Sequence, residues 1–195
     1  MLSLVPAAVS PGRMADTPQP VLQASYELVL RPWETDDAPQ VIEAFSDPEI
    51  QKWHMLKVTT EEHARQWIIA RQRSWQRESG ANWAITNAKT GDIVGRAGLR
   101  YIDLRAGRGD CTYWVLPPAR GQDIAARALQ ELARWAFEDI GLHRVTAAHS
   151  TINTASCRVA TKAAFTFEGT MRSQTRHLDG WHDMHLHARI HSDKG

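Results

Sequence analysis

Three groups of side chains in this 195-residue chain have the types and spacing to do chemistry. The first is Arg120-Gly121-Gln122-Asp123-Ile124-Ala125-Ala126, set between a double proline and a long apolar-striped stretch. Such a turn leaves unpaired amides at the positive end of a helix dipole, and small Ala125 and Ala126 permit close approach. The arrangement suits an anion, most naturally a phosphate or diphosphate. It is neither GxxxxGK followed by Ser or Thr nor GxGxxG. The second group is histidine: five of the nine lie at 177, 182, 185, 187 and 191. His185 and His187 share one strand face, but no Cys or carboxylate framework accompanies them, so no metal is assigned. The third is the pair Cys111 and Cys157, which read as small buried hydrophobes and not as nucleophiles.

Those residues need elements to carry them. Cys111 to Leu116 is apolar on both alternating faces, as in a strand inside a sheet, and Pro117 and Pro118 end it by removing two donors. Beyond the turn, Ile124, Ala128, Leu129, Leu132, Trp135 and Ala136 fall at helical spacing, and Gly141 supplies a left-handed stop. Upstream, Tyr26 to Arg31 alternates as a strand stopped by Pro32. Thr35-Asp36-Asp37 caps a helix through Val41, Ile42 and Phe45 that Asp47-Pro48 closes. Thr59-x-x-Glu62 is a capping box for a helix striped by Ala64, Trp67, Ile68 and Trp75. Strands follow at 82–86, 93–103, 110–116 and 143–149, then a helix over 153–163. Asp179-Gly180 turns a hairpin between strands at 166–176 and 181–190. The order β-α-α-β-β-β-α-β-α-β-β predicts a mixed α/β sheet.

The length suits one domain with a real core. A formal charge of +1 gives no sign of nucleic acid or an anionic membrane as the main partner, and no segment reads as a bilayer span. Two cysteines make no disulfide framework, which points to a reducing cytoplasm. Residues 1–24, with Pro6, Pro11, Pro18 and Pro20 and no sustained periodicity, read as a disordered leader before a domain at 25–195. No basic residue precedes apolar Leu2 to Val9, against a secretory signal, and Met14 is an alternative start.

Arg120-Gly-Gln-Asp-Ile-Ala125 resembles the Q/R-x-x-G-x-G/A pattern of the GNAT superfamily of acyl-CoA N-acyltransferases. Asp123 departs from it, standing where the family usually has Gly; its carboxylate either repels a diphosphate or points outward as a first-turn charge, and the second reading is preferred. Gly141-Leu-His-Arg-Val145, followed by Asn153-Thr-Ala-Ser156-Cys-Arg-Val-Ala160-Thr-Lys162-Ala-Ala-Phe165-Thr-Phe-Glu168-Gly169-Thr-Met-Arg172, resembles R-V/I…N-x-x-S-x-x-V-x-x-K-x-G-F-x-x-E-G-x-x-R of the RimJ/RimL-like branch. Ala164 replaces one Gly. The run from Leu30 to Trp53 is similar to that branch's opening.

The resemblance implies a GNAT fold: a mixed, mostly antiparallel sheet with a splayed central strand pair flanked by helices. It implies acetyl-CoA as acyl donor between the 113–116 and 143–149 strands, with the pantetheine arm on the backbone of Val115 and Leu116. Arg120, Gly121, Gln122, Asp123, Ile124, Ala125 and Ala126 would take the diphosphate. Arg158 and Lys162, four apart on one helix face, either meet the CoA phosphates or form a solvated basic face. The implied reaction is transfer of an acetyl group to a primary amine, a protein N-terminus or a small molecule, by direct attack in a ternary complex. It needs a neutral amine, a stabilised oxyanion and a protonated leaving thiolate. His149, Asp110 or a water chain is the base; Asn153 binds the cofactor amide or a water, and Ser156 matches the family's thiolate-side hydroxyl. Trp53, His54 and Glu27 are substrate-contact candidates, and a homodimer is left open. The rival reading is a degenerate GNAT domain that binds acyl-CoA or a protein partner without turnover.

Overall fold

The computed structural model describes residues 5–193. Strands β1 (Leu22–Ser25), β2 (Leu28–Pro32), β3 (Gly80–Asn87), β4 (Ile93–Asp103), β5 (Arg108–Val115), β6 (Arg144–Ser150), β7 (Thr166–His177) and β8 (Gly180–Ile190) form one sheet. Their spatial order is β1-β2-β3-β4-β5-β6-β8-β7. Helices α1 (Ala38–Ser46), α2 (Pro48–His54) and α3 (Glu61–Gln76) lie between β2 and β3, α4 (Ile124–Trp135) between β5 and β6, and α5 (Thr154–Lys162) between β6 and β7.

The pairing of β5 with β6 is parallel, with α4 as its crossover, while the other pairs are antiparallel. It lasts only from Arg108↔Arg144 to Asp110↔Thr146. Beyond that fork β5 stays with β4 as far as Val115, and β6 stays with β8 as far as Ser150. The sheet therefore opens in its middle, as the resemblance implied.

Each face of the sheet carries its own apolar core. On one side α4 packs Leu129 and Leu132 against Trp83, Leu99 and Val145. On the other, Phe45 of α1 and Trp67 of α3 meet Trp33 and Trp114. The high tryptophan content divides between them: Trp83 and Trp135 cross edge to face at 4.8 Å, and Trp33 and Trp67 do so at 5.4 Å. Such contacts add about 0.5–1.5 kcal/mol each beyond burial. Gly98 marks a close backbone approach, since a Cβ there would lie 2.5 Å from the Ala81 carbonyl oxygen.

Residues 5–24, within the stretch expected to be a disordered leader, lie against the domain, while residues 1–4 fall outside the described residues. Met14 is fully buried and Val9 nearly so. Glu78 accepts from the amides of Gly12 and Met14 at 2.8 and 2.7 Å. The indoles of Trp75 and Trp83 donate to Thr17 and Pro20 carbonyls at 2.9 and 2.7 Å. These contacts replace the missing periodicity, because backbone groups and not an apolar stripe make them. Leu22–Ser25 then adds a strand that the sequence did not announce. Elsewhere, Thr60 rather than Thr59 caps α3, accepting from the His63 amide, and Asp47 caps α2 by accepting from Ile50. No helix among the described residues is long and apolar enough to cross a membrane.

Candidate active site

The fork opens into a cleft of about 680 Å³ between β5, α2 and the facing ends of α4 and α5. Sheet geometry decides which backbone groups face it, since N–H and C=O of one strand residue point to the same side. Leu116 gives its amide to Val94 at 2.9 Å and its carbonyl to the Ala119 amide at 2.9 Å. Tyr113 and Val115, of opposite parity, therefore turn their groups toward the fork. The expectation for Val115 fits this geometry and that for Leu116 does not: both Leu116 groups are engaged, and the residue lies outside the cleft lining. Two side chains already use the exposed carbonyls. His54 Nε2 stands 3.1 Å from the Tyr113 oxygen, and Arg120 Nε donates to that of Val115 at 3.2 Å.

At one end of the cleft lies the start of α4. Gly121 and Asp123 both take left-handed backbone conformations, φ 79° and 56°, and this double turn aims the first helical amides outward. Asp123 makes no side-chain cap bond, so the first-turn amides stay open. Arg120, Gly121, Asp123, Ile124, Ala125 and Ala126 all line the cleft, whereas Gln122 turns back, its amide nitrogen 3.3 Å from the Pro118 carbonyl. The Asp123 carboxylate does not point away: it receives Lys162 Nζ at 2.5 Å, joining the start of α4 to the end of α5. Arg120 likewise pairs with Asp47 at 2.8 Å. Arg158 lines the same wall from α5.

The other wall holds Asn153, Ser156 and Tyr113. Asn153 caps α5, its side-chain oxygen accepting from the Ser156 amide at 3.0 Å. The Tyr113 hydroxyl donates to the Ser156 carbonyl at 3.3 Å, and burial pushes its pKa up to about 12, so it keeps its proton. On the α2 side are Glu49, Lys52, Trp53 and His54. Burial first, then the cations Arg96, Arg100 and Arg71, pushes His54 down to about 3, so its imidazole is neutral at ordinary pH. As a carbonyl cannot donate, the proton sits on Nε2. Glu49 accepts from the Trp53 indole at 3.2 Å, and no ion pair holds it among the described residues.

Neither expected base lines the cleft. Asp110 is the last paired residue at the fork, accepting from the Thr146 hydroxyl at 2.5 Å. His149 follows Val145 and Ala147 in alternation onto the face beneath α5, 93% buried, where it stacks on His187 at 5.3 Å. Glu27 is elsewhere too, paired with Arg127 at 3.3 Å. Sequence reasoning passed over Glu49, Lys52 and Tyr113. The parity of Tyr113 with Val115 was the available signal for Tyr113; Glu49 and Lys52 needed the placement of α2.

Comparison with known proteins bears on the family and the fold. Residues 27–166 match the acetyltransferase (GNAT) domain model. The uncharacterized N-acetyltransferase p20 of Bacillus licheniformis is 28% identical over 146 residues, 74% of this chain and 82% of the relative. The uncharacterized N-acetyltransferase YoaA of Bacillus subtilis (strain 168) is 26% identical over 154 residues, 78% and 86% respectively. The solved structure of RimL, a ribosomal L7/L12 alpha-N-protein acetyltransferase in complex with coenzyme A, superposes with a TM-score of 0.80 at 22% identity, covering 88% of this chain and 98% of that one. With well over half its length under the family model and its sheet divided at the β5–β6 fork, the chain belongs to the GNAT acetyltransferase family.

Proposed function

We propose that the chain moves an acetyl group from acetyl-CoA to a primary amine, which attacks the thioester directly while both substrates are bound. The observation that carries this is the fork: the strand edge of Tyr113 and Val115, whose carbonyls now meet His54 and Arg120, leads to the open amides at the start of α4. Val115 would hold the pantetheine amides in sheet-like fashion. Gly121 and Asp123 to Ala126 would hold the diphosphate, with Arg120, Arg158 and Lys162 exchanging their present partners for phosphate oxygens. Acetyl-CoA supplies the activated acyl group. Structural neighbours named for acetylating the N-terminus of ribosomal L7/L12 support a peptide amine as acceptor, with a small amine as the alternative.

The chain's own residues meet the reaction's demands unevenly. Glu49, as a carboxylate on the α2 wall, takes the ammonium proton directly or through water. Tyr113 and Ser156 offer hydroxyls on the wall opposite, where a departing thiolate needs a donor. Asn153 holds Ser156 in place through its cap. His149 and Asp110, outside the lining, have no part in proton transfer here. Release of free thiol from acetyl-CoA, measured over a panel of small amines and N-terminal peptides, tests the reading. Acceptor-dependent release supports it, and acetyl-CoA binding with no release to any amine in the panel contradicts it.

One contact favours the non-catalytic reading. The Asp123–Lys162 pair spans the diphosphate end of the cleft. If the pair excludes coenzyme A, the wild type binds none and Asp123→Gly restores binding.

A further inference from the structure

Beneath α5, on the sheet face opposite the α2 helix, four side chains converge that acetyl transfer does not use. His149 of β6 stands opposite His185 of β8 in the ladder, and His187 lies two residues along the same face. Cys157 of α5 comes down onto them. One ligand atom from each of His149, Cys157, His185 and His187 lies within 4.8 Å of every other. We propose that these four residues bind one zinc ion in tetrahedral N3S coordination, tying α5 to the β6–β8 ladder.

The orientation of the rings carries the argument. His149 Nδ1 lies 2.9 Å from the Ser150 carbonyl oxygen, and His187 Nδ1 lies 3.4 Å from that of Phe165. Since carbonyls only accept, each Nδ1 carries the proton and each Nε2 presents a lone pair. This is the usual arrangement in zinc sites, where an outer carbonyl fixes the tautomer of a ligating imidazole. His149 Nε2 is buried without a partner, and so is His185 Nδ1. His187 Nε2 faces Cys157 Sγ at 3.9 Å, too long for a strong hydrogen bond. Buried polar atoms left unpaired are destabilising, and here they lie around a common centre. His149 and His187 are 93% and 98% buried. Three imidazoles and a thiol favour zinc over the oxygen-seeking magnesium or calcium. With bonds of about 2.0–2.3 Å, tetrahedral ligand atoms sit roughly 3.3–3.8 Å apart, so the widest pair closes by about 1 Å. On binding, the Cys157 S–H bond breaks, a Zn–S bond forms, and the proton leaves to buffer.

The fold gives such a tie a purpose. α5 has only Ala160 fully buried, yet from it Ser156, Arg158 and Lys162 reach the cleft. Apolar packing alone holds this helix weakly, and a metal bond through Cys157 would fix it.

The experiment uses the full chain, purified without a metal-affinity tag, stripped with chelator, and titrated with Co²⁺ and then Zn²⁺. None of its readouts needs acetyl-CoA, so its outcome is separate from that of the transferase reading. The expected result is one equivalent of cobalt with intense tetrahedral bands and a thiolate-to-cobalt charge-transfer band, displaced by zinc. Cys157→Ser removes the charge-transfer band, and His187→Gln weakens zinc by more than about 100-fold, the upper range for losing an outer partner alone. His63→Gln, on α3, changes neither. At a hundredfold excess over Kd, zinc should raise the wild-type Tm by roughly 5–10 °C. Should His187→Gln misfold, Cys157→Ser at its half-buried site still decides. Weak octahedral cobalt spectra in the wild type, or zinc affinity unchanged in Cys157→Ser, would overturn the proposal.

Discussion

Replacing Asp123 separates backbone strain from charge at the start of α4. The residue sits at φ 56° and pairs with Lys162, both side chains being 56% exposed. Exposed pairs contribute about 0–1 kcal/mol, so its loss changes stability little. Glycine relieves the left-handed backbone, which costs roughly 1 kcal/mol for a residue with a Cβ but less for Asp. Net folding stability of Asp123→Gly should therefore stay within about 1 kcal/mol of wild type. Binding should move more. A carboxylate about 6 Å from one phosphate charge, at an effective dielectric of about 40, opposes it by roughly 1.4 kcal/mol. That is about tenfold in affinity before screening, and salt near 0.15 M reduces it. The neutral variants also release the Lys162 ammonium to the phosphates. Acetyl-CoA should thus bind Asp123→Gly and Asp123→Asn about 3- to 10-fold more tightly than wild type, by isothermal titration calorimetry at low salt. The gain should shrink at 0.5 M salt. Asparagine keeps size and backbone preference, so equal gains in both variants identify charge as the cause. Unchanged or weaker binding in both would refute the electrostatic reasoning.

Other expectations follow from single contacts. Glu49→Gln should lower kcat/KM by at least about tenfold near pH 7 in the thiol-release assay, while His149→Gln with zinc-independent folding verified should not lower it through proton transfer. Tyr113→Phe should leave the acetyl-CoA Kd within about threefold and reduce kcat, read by steady-state kinetics. His54 has a folded pKa near 3, below its unfolded value of about 6.5, so the unfolded chain takes up a proton first as pH falls. Its neutral burial costs nothing above pH 6.5, and stability is lost progressively between about 6.5 and 3. At pH 4.5 the loss is about 2–3 kcal/mol, and His54→Gln should flatten that part of a urea-denaturation pH profile. Met14→Ala should cost about 2–4 kcal/mol by the same method, because the side chain is fully buried in the core that α4 builds.

The elements that position the site were legible where apolar periodicity and turn chemistry coincide. The double proline fixed the end of β5, Gly141 took the left-handed stop at φ 91°, and Asp179-Gly180 turned the last hairpin. The family motifs supplied the splayed pair, which periodicity alone does not reveal. What stayed hidden depends on register and on distant partners. Alternation along β6 shows that Val145, Ala147 and His149 share a face, but not that α5 covers that face and the cleft lies beyond it. His149, Cys157, His185 and His187 come from three elements: the β6–β8 register aligns the histidines, and the packing of α5 brings Cys157 onto them. Residues 5–24 carry no periodic pattern because their anchors are Glu78, Trp75 and Trp83, some sixty positions away.

The fork between β5 and β6 as the seat of coenzyme A is tested most directly by a crystal structure of the chain grown with acetyl-CoA. The diphosphate should lie against the amides from Gly121 to Ala126 and the pantetheine arm along Val115, with Lys162 turned from Asp123 to a phosphate. Coenzyme bound elsewhere, or a fork still closed by the Asp123–Lys162 pair at saturating acetyl-CoA, would contradict it.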